Sequence, residues 1–180
     1  MFLLNRRTVL AGAATLLATT RPRKLHAEAD GPALTVTRGP GVAAPEASWA
    51  DEGGRIQTLA DYAGRPVVLN FWATWCVPCV AEMPALDALS RAMAAEGLAV
   101  LALSSDRGGA APVQRFYAER GISSLAVMLD ARGAAARAFG AKGIQTTVLI
   151  DRAGLERGRV EGAVDWAIPA SIARLRDVVG

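Results

Sequence analysis

Residues 66–72, Pro-Val-Val-Leu-Asn-Phe-Trp, are a nearly unbroken run of strand-forming apolar side chains. Neither alternation nor helical spacing organises the run, so both faces of the segment require burial, as in the middle of a sheet covered on each side. After Cys76 the pattern changes: Val80, Met83, Leu86, Leu89 and Met93 recur at helical spacing, with Pro84 expected to kink the helix. A buried strand that feeds a helix is a βα unit, and the rest of the chain has to be arranged around it.

The alternation continues. Spacing and composition predict strands at 98–104, 125–129, 146–150 and 157–161, and helices at 110–120, 134–139 and 165–179. The last two strands are joined by a turn at Asp151, Arg152, Ala153 and Gly154. Upstream, Asp51, Glu52, Gly53 and Gly54 read as the turn of a hairpin between short strands at 47–49 and 55–58. This order implies an α/β fold, a mixed central sheet flanked by helices on both faces. With 180 residues there is room for one domain and a tail.

The tail is residues 1–44. Arg6 and Arg7 precede an uncharged stretch reaching Thr20, followed by Arg21, Arg23 and Lys24, with no acid before Glu28. This layout is expected of a signal peptide over 1–27, of twin-arginine type, and its apolar stretch falls well short of the ~20 residues that span a bilayer. Residues 28–44 read as a linker, with a short strand at 34–37, and residues 45–180 as the domain. An uncleaved leader would act as a membrane tether. The net charge of +3 belongs to the leader: without residues 1–27, fifteen basic residues face seventeen acids. The domain then offers no basic excess for nucleic acid. It also loses His26, the chain's only histidine, which excludes Cys-His and Ser-His-Asp catalysis and histidine-bearing metal sites.

Cys76 and Cys79, spaced Cys-Val-Pro-Cys, sit where the buried strand hands over to the helix. A thiol in the first helical turn faces unpaired N–H groups and the positive end of the helix dipole, which favour thiolate. Cys76 is therefore expected to attack, and Cys79, one turn on, to resolve the mixed disulfide. A structural cross-link is a poor alternative, because so short a ring constrains the unfolded chain little. Zinc wants four ligands where two thiols exist. Copper(I) on two thiolates is the remaining alternative.

The segment from Leu69 to Pro84, Leu-Asn-Phe-Trp-Ala-Thr-Trp-Cys-Val-Pro-Cys-Val-Ala-Glu-Met-Pro, resembles the active-site segment of TlpA/ResA-type thioredoxins. Residues 61–66 and 146–154, with Gly162 and Trp166, extend the resemblance from about Pro45 to the C-terminus. It implies a thioredoxin fold with an added N-terminal hairpin and a central βα insertion, in exported periplasmic proteins that reduce client disulfides in cytochrome c maturation or copper-site assembly. A monomer, re-reduced by a membrane electron donor and without a cofactor, is expected. Within this resemblance Glu82 matches an acid beside the active site, placed to relay protons from Cys79. Asn70 stands where cytoplasmic thioredoxins carry a buried Asp, and an amide cannot take that proton. Trp75, Pro78, Ile144, Gln145 and Thr146 are the expected docking positions.

Gln145 departs from the family, which has a cis-proline there. A non-proline cis bond costs ~2.5–4 kcal/mol, so the peptide is either trans or held cis under strain. The family uses this loop to pair with substrate and to shield the thiols from metals. The alternative function is accordingly a copper-binding or delivery protein whose thiols are opened by the loss of proline. Val77 and Pro78 between the cysteines lack the histidine that favours the reduced form of strong oxidants, which points to a reductant.

Overall fold

The computed structural model describes residues 36–180, the side chains of residues 38–40 excepted; the expected signal peptide and residues 28–35 of the linker lie outside the described residues. Eight strands form one mixed sheet: β1 (Thr37–Ala43), β2 (Ser48–Asp51), β3 (Ile56–Thr58), β4 (Val67–Trp72), β5 (Ala99–Ser104), β6 (Met128–Leu129), β7 (Thr146–Ile150) and β8 (Leu155–Glu161). Their order across the sheet is β1-β8-β7-β4-β5-β6-β2-β3. Four helices complete the fold: α1 (Val77–Ala92), α2 (Ala110–Arg120), α3 (Ala134–Ala138) and α4 (Pro169–Val179).

All six residues of β4 are buried, and the strand lies between parallel β5 and antiparallel β7. Its side chains divide by parity. Val68 and Trp72 join the core formed with Met83, Leu86 and Leu89 of α1, Val113 of α2 and Leu175 of α4. Val67, Leu69 and Phe71 face the opposite core, with Trp49, Ala135 and Phe139. Apolar residues on both faces of one strand thus organise two layers, which is why the run in the sequence lacks alternation.

The hairpin forms as expected, β2 pairing with β3, and Asp51 Oδ1 accepts the amides of Gly53 and Arg55 across its turn. Helix α1 runs through Pro84 without interruption. Three expectations need correction. Of the strand expected at 34–37, residues 34 and 35 lie outside the described residues; β1 runs from Thr37 on to Ala43, inside the segment read as linker, pairs with β8 at the sheet edge, and slips in register between Arg38 and Val42, around Pro40. Such an irregularity accommodates proline's missing N–H. The strand expected over 125–129 shrinks to Met128 and Leu129, because Leu125 and Val127 are drawn into the helix-covered core. The final helix starts at Pro169 rather than Asp165, since proline opens a helix and holds the residue before it extended; Ile168 has φ −72° and ψ 145°.

Candidate active site

Beyond Trp72 the chain makes one tight turn, in which the Cys76 amide donates to the Ala73 carbonyl, and α1 begins at Val77. Cys76 is the residue preceding the first helical turn, and its Sγ accepts the Cys79 amide at 3.4 Å. Pro78 fits the first turn because no helical partner exists there for its absent N–H. The two sulfurs are joined as a disulfide, S–S 2.11 Å. Cys76 is 8% exposed and Cys79 1%, so the sulfurs are unequal in access. Around Cys76, Trp75 and Val77 present apolar surface to solvent, at 64% and 80% exposure.

The turn is anchored by a residue that the sequence reading missed. Asp106, just past β5, accepts the Thr74 amide at 2.9 Å, the Thr74 hydroxyl at 2.6 Å and the Ser104 hydroxyl at 2.7 Å. Buried and acceptor-only, it ties the loop before Cys76 to the end of the neighbouring strand. The available signal was a Ser-Ser-Asp sequence at the carboxyl end of an apolar strand. Below the loop, Trp72 stacks on Tyr117 with ring centroids 5.8 Å apart and tilts against Phe116 at 5.2 Å.

Glu82 lies one turn beyond Cys79 on α1 and is 4% exposed. Its Oε1 accepts the Val164 amide at 3.3 Å and the Trp166 indole N–H, from the segment preceding α4. Burial raises its pKa to about 7, and the two hydrogen bonds only partly oppose the shift. On β4, Asn70 donates to the Thr147 hydroxyl at 2.8 Å, while its Oδ1 is buried without a partner. Parity places Asn70 on the α1 side of the strand, with Val68 and Trp72.

The loop at Gln145 departs from the family pattern. No described peptide bond is cis, and Gln145 adopts φ +75°. Its amide donates to Phe71 O at 2.7 Å and its carbonyl accepts from Gly162 N at 3.1 Å, so both main-chain groups are taken up between β4 and β8. The side-chain Nε2 is buried without a partner. Thr146 is fully buried, its hydroxyl engaged by Gly143 O and Glu161, so its side chain fixes the loop. Ile144 remains half-buried against the core.

Two consequences are testable. Glycine relieves a left-handed conformation that costs other residues ~1–2 kcal/mol and removes the orphaned amide, at some cost in unfolded-chain entropy. Gln145→Gly should therefore raise the denaturation free energy by about 1 kcal/mol, whereas Gln145→Pro, unable to reach φ +75° or to donate to Phe71, should lower it and displace the loop; equal midpoints for all three would contradict this geometry. Glu82 supplies the second. Its folded pKa exceeds the ordinary carboxylate value, so the protonated form favours folding, and that stability is lost as pH rises from about 4.5 through 7. Chemical denaturation of the oxidised protein should show a loss approaching ~3 kcal/mol across this window, largely absent in Glu82→Gln.

Comparison with known proteins identifies relatives of this chain. The family model described as Redoxin matches residues 40–166. Thiol-disulfide oxidoreductase ResA of Geobacillus thermodenitrificans is 34% identical over 124 residues, 69% of this chain and 70% of that protein. Thioredoxin-like protein YneN of Bacillus subtilis is 34% identical over 116 residues, 64% of this chain and 67% of that one. A thiol:disulfide interchange protein of the thioredoxin family from Chlorobium tepidum shares the fold, with a TM-score of 0.65 at 24% identity over 80% of this chain and all of that one. With a dithiol pair at the opening of α1 and relatives that exchange disulfides, the chain belongs to the Redoxin family as a ResA-like thiol-disulfide oxidoreductase.

Proposed function

We propose that the chain works outside the cytoplasm as a reductant of client-protein disulfides, with Cys76 as nucleophile, Cys79 as resolving thiol and Glu82 as the proton acceptor for Cys79. The observation that carries this reading is the inequality of the two sulfurs: Cys76 caps α1 and has the greater exposure, while Cys79 is sealed beneath it on the face that bears Glu82. In the reduced protein the Cys76 thiolate attacks one sulfur of the client disulfide. That S–S bond breaks, a Cys76–client disulfide forms, and one client thiolate leaves. Cys79 gives its proton to the Glu82 carboxylate and attacks Cys76 Sγ, closing the ring and releasing the second client thiolate. Two electrons pass to the client. A membrane donor of two electrons then restores the dithiol.

A carboxyl with a pKa of about 7 exchanges protons readily at neutral pH, which suits Glu82 to this role. Asn70 cannot serve instead, since its amide does not titrate. Trp75, Pro78 and Ile144 form the docking rim, and Gln145 and Thr146 hold the loop behind it. Because the main chain of Gln145 is occupied by the sheet, backbone pairing with a client falls to Ile144. Clients in cytochrome c maturation or copper-site assembly are those that the family resemblance implies. Export is supported by the Arg6-Arg7 leader; among the described residues no helix is long and apolar enough to cross a membrane.

One experiment addresses both chemistry and place. Expressed as the full chain, Cys79→Ser should accumulate mixed disulfides between Cys76 and clients in the exported fraction, and none there once Arg6 and Arg7 are lysine. The purified wild-type protein, reduced beforehand, should reduce insulin disulfides. Copper(I) retention without insulin reduction or trapped clients would favour the binding protein instead.

A further inference from the structure

Beside the disulfide an open cleft of about 640 Å³ runs between the loop before α1, the end of β5 and the turn before α3. Trp75 and Ile144 form its apolar walls next to the active-site turn, and Arg107, Arg132 and Ser105 supply its polar groups. Neither guanidinium enters an ion pair among the described residues, where five other arginines do. The acids nearest to them in sequence are turned inward and engaged: Asp106 by Thr74 and Ser104, Asp130 by the amides of Ala135 and Ala136 at the start of α3. Residues 36–180 carry fifteen basic and fifteen acidic side chains, so two exposed arginines in one cleft are a local feature and not the reflection of a cationic surface.

We infer that this cleft recognises an acidic stretch of the client polypeptide beside its cysteine, the client carboxylates pairing with Arg107 and Arg132 while an apolar neighbour lies against Trp75 and Ile144. The inference rests on the oxidoreductase reading and deepens it. Arginine suits the task because its planar fork matches a carboxylate with two parallel hydrogen bonds. The pair is solvent-exposed, so its main effect is on productive encounter, and salt should weaken it. Among the described residues neither arginine forms a hydrogen bond or ion pair with Cys76 or Cys79, so their replacement removes no direct bond to the sulfur pair.

The test uses three oxidised disulfide peptides of equal length in which the residues flanking each cysteine are Asp, Asn or Lys. The reduced full chain is mixed with each, and every rate is divided by the rate of the same peptide with dithiothreitol, which removes the effect of flanking charge on the peptide disulfide itself. At low ionic strength the normalised second-order rate constant should be about 5- to 10-fold higher for the Asp than for the Asn peptide and lowest for the Lys peptide, with the spread collapsing in ~0.5 M salt. The doubly substituted Arg107→Glu, Arg132→Glu protein should invert the order while reducing the Asn peptide at the wild-type rate. Should that protein fail to fold, Arg132→Gln alone and the wild-type salt series carry the same comparison. Normalised rates within twofold for all three peptides would overturn the cleft inference while leaving the enzyme intact; failure to reduce even the Asn peptide would overturn the oxidoreductase reading itself.

Discussion

The packing of α1 across β4 is the contact on which the site depends. Met83, Leu86 and Leu89 seat the helix against Val68 and Trp72, and that seating determines where its first turn points. Held there, the opening of the helix offers its unpaired amides to Cys76 and tucks Cys79 beneath it. One turn further, the same face carries Glu82 into the core, where the segment before α4 supplies Val164 N–H and Trp166 N–H as its partners. A single helix placement thus makes the sulfurs unequal and brings a titratable group to the buried side of the pair.

Buried polar groups in this core are accommodated by different means. Asp106 is buried yet receives three hydrogen bonds, which hold the loop before Cys76 in place. Glu82 receives two, too few to offset burial, and its pKa rises to about 7. Asn70, on the central strand, has no charge to desolvate but keeps an unpartnered oxygen. Asp106 thus anchors the loop before Cys76, while Glu82 is poised to exchange protons.

Much of this was legible in the sequence. The run at 66–72 announced a strand buried on both faces, and the helical spacing after Cys76 announced the layer that covers it. Glu82 could be put on the face of Cys79 by counting residues, although its partners Val164 and Trp166 lie more than eighty positions away and only the fold brings them near. Asp106 was hidden for a similar reason: its value comes from Thr74, on a different strand end. The short β6 and the late start of α4 escaped because burial of Leu125 and Val127, and the backbone restriction before Pro169, act against a simple propensity reading. Gln145 was visible as a departure, but only the observed loop shows that its main chain is spliced between β4 and β8.

The central claim, that the opening of α1 makes Cys76 the reactive thiol, is tested most directly by alkylating the fully reduced protein between pH 5 and 9 and following each cysteine by mass spectrometry. The account predicts that Cys76 is modified first at every pH, with a midpoint below the ordinary thiol value of ~8.5, and that Cys79 remains slow throughout. Faster labelling of Cys79, or an ordinary midpoint for both sulfurs, would contradict it.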